Sequence, residues 1–445
     1  AKPAFFRDLN LDQVIDAVLA GREECDLAPF FCRQPDNDDT VRYRQEVFQD
    51  LENETLYEAV ASFSLRMRDV RRYLTMIDKL HYQRLKQGWF LVVVDAYCEV
   101  VRDLSRDLAA ADLGSRGFRA LRGYLSAYVD SPAFTALCAE TEELRKELSG
   151  VSYCIHIKGN RVRVRRYDSE ADYSAEVLRI FEKFKQGEAN DYRVSFRDTP
   201  GMNHVEAAIL DRVAILFPEV FSRLEGYCER HRDFLDGTIR DFDREVQFYL
   251  GYLEFIAPLK AAGLAFCYPE VCEWSREVHA RDAFDLALAA KLVPEGSRVV
   301  CNDFRLEGQE RIIVVTGPNQ GGKTTFARMF GQMHHLCGIG CPVPGREARL
   351  LSFDRIFTHF EREEDFDNLL GKLEDDLVRM REIFREATAE SVIVINEIFA
   401  STALNDALFL GRKVMERIIE LGAACVLVTF VEELTRLDDR IVSMV

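Results

Sequence analysis

The chain has little that would hold it in a membrane or brace it by cross-links. No apolar run approaches the ~18 to 20 residues of a membrane helix. The nearest, Trp89 to Val94, stops at Asp95. Twelve cysteines stand singly, with no CxxC pair, which excludes a paired-cysteine zinc site and a disulfide framework and points to a reducing cytoplasm. Positive charge is in deficit, with 58 Lys and Arg against 75 Asp and Glu for a formal charge of −17. The surface as a whole therefore repels polyanions, and any nucleic-acid site has to be a local basic patch. The opening Ala1-Lys2-Pro3-Ala4 lacks an initiator Met and the apolar core of a signal peptide, and the end, Ile441 to Val445, falls within an apolar stretch. The sequence reads as part of a longer chain. No internal repeat is present.

What is there is globular. The 445 residues are 48 % hydrophobic and 30 % charged, enough for about three domains at ~150 residues each. Residues 1–150 carry apolar side chains every three or four positions with few Gly or Pro, the period of a helical region. Within it, Pro35 to Thr40 reads as a loop ending in a helix cap, and Val41 to Phe48 opens the next helix. Residues 151–167 change period: two alternating runs, Tyr153 to Ile157 and Arg161 to Tyr167, flank Lys158-Gly159-Asn160 and predict a β-hairpin. Helical pattern returns after Ser174 in the region 168–292, where steps of three and four from Phe221 to Ile256 predict one long helix over 218–256. Unbroken, it would be roughly 58 Å long, with Gly237 and Gly251 as weak points. Residues 293–445 alternate apolar strands with helical stretches, the mark of a parallel sheet covered on both faces.

The chemistry centres on Gly317-Pro318-Asn319-Gln320-Gly321-Gly322-Lys323-Thr324, which satisfies GxxxxGK[ST] directly after the strand 311–316 and before a helical run from Thr325. Glycines let consecutive N–H groups face phosphate oxygens, and the following helix adds the positive end of its dipole. Lys323 is the candidate for the β- and γ-phosphates, Thr325 lines the same phosphate site, and the Thr324 hydroxyl is a candidate Mg²⁺ ligand. A second apolar strand, Val392 to Ile395, ends in Asn396-Glu397. Glu397 suits a base that polarises an attacking water. Asn396 offers an oxygen without charge, which predicts weaker metal affinity and slower turnover than Asp would give. His334 and His335 point to different faces of one helix and read as core or solvated residues, not as metal ligands.

The hairpin carries Lys158, Arg161, Arg163, Arg165 and Arg166 with no acidic residue. Alternation puts Arg161, Arg163 and Arg165 on one face at ~6.6 Å intervals, with Val162 and Val164 on the other. Two readings stand: a clamp on the DNA backbone, or a solvated ribbon whose arginines pair with Glu170 or Asp172.

These motifs resemble those of the MutS-type ATPases, a branch of the ABC ATPase superfamily. Cys301-Asn302-Asp303 is similar to that family's PND element, 340–345 to its GxxVPA segment, and Asp354 to Thr358 to its DxIFTR. Asn396-Glu397-Ile398 resembles DEI, and Thr429 with Glu433-Leu434 resembles THxxEL. Asp365 falls where the family has a second acidic residue at the metal. The departures are His359 for Arg, Asn396 for Asp, Phe430 for His, and Gly371-Lys372-Leu373-Glu374-Asp375 in place of GxSTF. The resemblance implies an all-α core and lever region with a small β-hairpin clamp, followed by an α/β P-loop ATPase domain of the ABC type. It further implies ATP and Mg²⁺ between the subunits of a homodimer, DNA recognised by structure, no membrane partner, slow hydrolysis, and no N-terminal mismatch-reading domain. The competing expectation is a nucleotide-gated interaction scaffold with little catalysis and no DNA role.

Overall fold

The computed structural model describes residues 2–35, 37–159, 161–169, 202–272, 277–318, 320–361, 371–400 and 402–444. The helix start expected after Ser174 lies outside them. The chain divides into two compact units, residues 1–54 with 113–119 and 241–445, and residues 55–112 with 120–240. Among the described residues no helix is long and apolar enough to cross a membrane.

The first unit is built on a five-stranded parallel sheet. Its strands run in the spatial order Ile356–His359, Val392–Asn396, Ala424–Val428, Ile312–Val315, Ile441–Met444. The three central strands are buried throughout because both faces are covered. Alternate residues separate cleanly. Ile313, Val315, Val392, Val394, Val426 and Val428 face a core with Phe326 and Phe330 of the helix Lys323–Gly338, while Ile312, Val314, Ile393, Ile395 and Leu427 face Met380, Ile383, Met415 and Ile418 of the helices Lys372–Glu386 and Leu404–Leu421. A second, mixed sheet orders Glu270–Cys272, Glu347–Leu351, Val278–Ala283 and Asn302–Leu306. Its strands carry charges at alternate or irregular positions, and a bulge between Ala280 and Ala283 breaks the period, so apolar patterning does not reveal them.

The region 1–150 does not form one body. Phe6, Leu11, Ile15, Phe31 and Phe48 pack in the same core as Phe330, Leu336 and the central sheet. Helical period shows which face is apolar and leaves open which partner covers it. His334 and His335 are both buried in this core. His334 Nδ1 donates to the Phe330 carbonyl at 2.8 Å and His335 Nε2 to the Phe31 carbonyl at 2.9 Å.

In the second unit the helix Gln83–Ala110, 28 residues long, packs against Pro132–Ser149 and Pro218–Arg230. Buried tyrosines keep their hydroxyls paired, Tyr97 with Tyr128 at 3.1 Å and Tyr227 with Thr141 at 2.5 Å. The single helix expected over 218–256 is two helices, Pro218–Arg230 and Gly237–Ala261. Asp236 makes the break. Its Oδ1 accepts the Ile239 amide at 3.0 Å as a cap, its Oδ2 accepts the Tyr124 hydroxyl at 2.8 Å, and its own amide donates to the Tyr97 hydroxyl at 3.2 Å. The apolar period continues through such a break, so periodicity alone overran it.

Burial holds the pKa of His334 and of His335 down at about 4, against an ordinary value near 6.5. A depressed histidine gives stability that is complete above the unfolded value and is lost as pH falls from 6.5 toward 4. Urea unfolding at pH 5 should therefore show a loss on the order of 2 kcal/mol per ring relative to pH 7.5. A His335→Gln variant, which keeps a donor for the Phe31 carbonyl, should show a flatter pH dependence.

Candidate nucleotide site and basic hairpin

The strand Ile312–Val315 ends at Thr316, and the chain must turn sharply before the helix Lys323–Gly338 begins. Gly317 has φ +132° and Gly322 has φ +86°, angles that strain any L side chain, although nothing crowds either position. The glycines are there for backbone shape. Gly322 caps the helix, its carbonyl taking the Phe326 amide at 2.9 Å. The remaining first-turn amides lack helical carbonyl partners and carry the dipole's positive end, which favours an anion. Lys323 is buried, and its Nζ donates to the carbonyls of Gly317 at 2.7 Å and Pro318 at 3.4 Å. Neutral carbonyls leave its charge uncompensated among the described residues.

The strand Val392–Asn396 ends in the same region. Although 72 residues separate them, the Thr324 hydroxyl donates to Asn396 Oδ1 at 2.9 Å. A hydroxyl and an amide carbonyl are two neutral oxygens, and among the described residues no cluster of three His, Cys, Asp or Glu is fit to hold a metal ion. Such a pair suits Mg²⁺ arriving with a polyphosphate that supplies the remaining charge and ligands. Glu397 follows with φ +55°, its amide donating to the Val428 carbonyl at 2.9 Å, and Phe399 has φ +60° with its ring fully buried. Left-handed backbone at two non-glycine residues costs roughly 1–2 kcal/mol each, so this loop is held by its surroundings.

Of the residues singled out in the sequence, Gly317, Pro318, Gln320, Gly321, Gly322, Lys323, Thr324 and Thr325 lie on the loop and helix start, and Asn396 meets Thr324. Asn319 and Asp365 lie outside the described residues. Phe430 is 44 % exposed beside Thr429, whose amide donates to the Val315 carbonyl at 3.1 Å. Asp8 carried no sequence signal, yet its Oδ2 accepts the Thr358 hydroxyl at 2.6 Å and its carbonyl accepts Arg328 Nε at 3.0 Å.

The hairpin forms from antiparallel strands Tyr153–Lys158 and Arg161–Arg166. Directly opposed residues share a face. Register pairs Lys158 with Arg161, His156 with Arg163 and Cys154 with Arg165, so His156 joins the basic face, a neighbour that one strand's alternation could not show. Arg166 sits on the opposite face, paired with Tyr153. Its guanidinium donates to the Leu216 carbonyl, Nε at 3.0 Å, and lies 4.8 Å from the Phe217 ring centroid. Val164 packs beside it against Val213 and Phe221. Arg166 thus fastens the hairpin root, and the basic face consists of Lys158, Arg161, Arg163, Arg165 and His156. Glu170 and Asp172, the alternative partners for these arginines, lie outside the described residues.

Helical layers, a parallel sheet and a glycine-rich loop at the carboxyl ends of its strands define a multidomain protein with an α/β portion. Residues 36–262, about half of the chain, match the MutS2 N-terminal domain, and residues 313–445 match MutS domain V. The chain belongs to the MutS family. It is 27 % identical over 248 residues to the DNA mismatch repair protein MutS of Thermotoga maritima, covering 54 % of this chain and 29 % of that protein. Over 154 residues it is 34 % identical to MutS of an Exiguobacterium species, covering 34 % of this chain and 18 % of that one. DNA mismatch repair protein MutS 2 of Halobacterium salinarum is 34 % identical over 146 residues, 33 % of this chain and 17 % of the relative. The chain thus spans less than a third of the length of each of these curated relatives.

Replacing Arg166 with Ser should loosen the hairpin root by about 1 kcal/mol, the worth of a lost hydrogen bond. Amide exchange across 153–166 should speed up by about fivefold in Arg166→Ser and stay unchanged in Arg163→Ser.

Proposed function

We propose that the chain is a DNA-binding protein driven by ATP, in which an α/β P-loop domain of the ABC type takes ATP with Mg²⁺ and two copies close as a clamp. The reading rests on the contact between the Thr324 hydroxyl and Asn396 Oδ1, which brings the glycine-rich loop and the second strand end to one place. Backbone N–H groups of the loop Gly317 to Gly322, Pro318 having none to give, take phosphate together with Thr325. Lys323 exchanges the Gly317 and Pro318 carbonyls for β- and γ-phosphate oxygens. Thr324 and Asn396, with Asp365, hold Mg²⁺, which neutralises phosphate charge when bound. Glu397 orients the attacking water. The uncharged Asn396 makes hydrolysis slow.

DNA engages the hairpin. Its basic face opposes positive to positive across the strands where Lys158 meets Arg161, an arrangement that a polyanion relieves. Phosphate contacts position without reading bases, so recognition is by structure and not sequence. The homodimer works in the cytoplasm with no membrane partner. Two observations favour a second reading, a nucleotide-gated scaffold with little catalysis and no DNA role: Asn396 puts no charge at the metal position, and Phe430 stands exposed where the family resemblance has His.

Equilibrium dialysis with ATP and Mg²⁺ should show Lys323→Ala losing about 10- to 100-fold in affinity, the worth of a charge-assisted hydrogen bond. Asn396→Asp should raise turnover severalfold, and an unchanged rate would favour the scaffold. Replacing Arg161, Arg163 and Arg165 with Ser should flatten the salt dependence of DNA binding by up to about three counterion units. An unaltered slope would remove the hairpin from the DNA site.

A further inference from the structure

Three segments distant in sequence converge beneath the loop that carries Glu397. His359 ends the strand Ile356–His359, Asp376 lies on the helix Lys372–Glu386, and Phe399 sits two residues beyond Glu397. The Phe399 amide donates to Asp376 Oδ2 at 3.2 Å. On the carboxylate's other side, His359 Nε2 lies 3.0 Å from Oδ1, outside hydrogen-bond alignment. All three are buried, at 1 %, 8 % and 0 % exposure for His359, Asp376 and Phe399.

A carboxylate in such a place is costly unless it does something an apolar side chain cannot. Here the backbone supplies the reason. Glu397 and Phe399 both have left-handed φ, which persists only where the surroundings over-determine it. The Glu397 amide is fixed on the sheet side by the Val428 carbonyl, and the Phe399 ring is sunk in the core with Met380 and Ile383. Ile398 is buried in the same core and the Phe399 carbonyl accepts the Thr402 amide at 3.3 Å, while the Phe399 amide is taken by a side chain from another element, Asp376. We propose that Asp376 is a positioning residue: its carboxylate anchors the Glu397 loop through the Phe399 amide. This rests on the reading of Glu397 as the group that orients water, and it assigns Asp376 no contact with nucleotide.

The test compares Asp376→Leu, which removes the acceptor, with Asp376→Asn, which retains an oxygen for the Phe399 amide. Thermal melts establish that both variants fold. Hydrogen exchange should show the 397–402 amides opening at least tenfold faster in Asp376→Leu, with Asp376→Asn close to wild type. ATP affinity by dialysis with Mg²⁺ should stay within twofold in both, while turnover in Asp376→Leu falls by tenfold or more with partial rescue in Asp376→Asn. Unchanged exchange in Asp376→Leu overturns the proposal whether or not the protein hydrolyses ATP. Faster exchange with unchanged turnover also overturns it, since the anchored loop would then not govern the chemistry. If native protein takes up no nucleotide, the functional reading falls, and exchange alone decides the anchor. Should Asp376→Leu not fold, Asp376→Ser supplies the same comparison, because its short hydroxyl does not reach the amide.

Discussion

Burial of a parallel sheet on both faces is the constraint from which the candidate nucleotide site follows. With Ile312–Val315, Val392–Asn396 and Ala424–Val428 inaccessible on either side, polar groups have to gather where the strands stop. Ladder register then leaves no freedom. Asn396 stands opposite Val428 and Val428 opposite Val315, so the loop leaving one strand and the pair ending another emerge at one level. Thr324 and Asn396 touch because the core admits no slip of one residue without inverting every apolar side chain.

Left-handed backbone recurs at the same edge. Gly317 and Gly322 absorb left-handed backbone without penalty, whereas Gln320 on the same loop and Glu397 and Phe399 on the other adopt it as ordinary residues. The Glu397 loop is tied down by the Val428 carbonyl, the buried Phe399 ring and the Asp376 carboxylate.

The hairpin is organised by another rule. In a chain of charge −17 it gathers basic side chains on one face of a two-stranded ribbon and keeps Ile155, Ile157, Val162 and Val164 on the other. A ribbon of two strands has almost no core, so its stability depends on where its root is fastened. Val164 and Arg166 provide that attachment, by apolar packing and by a guanidinium over Phe217. Of two adjacent arginines, Arg165 faces outward with the basic set and Arg166 serves the fold.

Local structure was legible along the chain: the glycine-rich loop, the apolar strands 311–316 and 392–395, and the alternation of the hairpin all announce themselves by spacing. Such features depend on neighbours a few residues away, and period and φ preference record them. Pairings across long separations were not legible. Nothing local says that Phe6 and Phe330 share a core, that Asp236 ends one run of period 3.5 and caps another, that Arg166 turns back on Phe217, or that Asp376 reaches the Phe399 amide. Each depends on which apolar face covers which and on the placement of a single polar side chain once water is excluded. That choice is made by packing, which no residue encodes by itself.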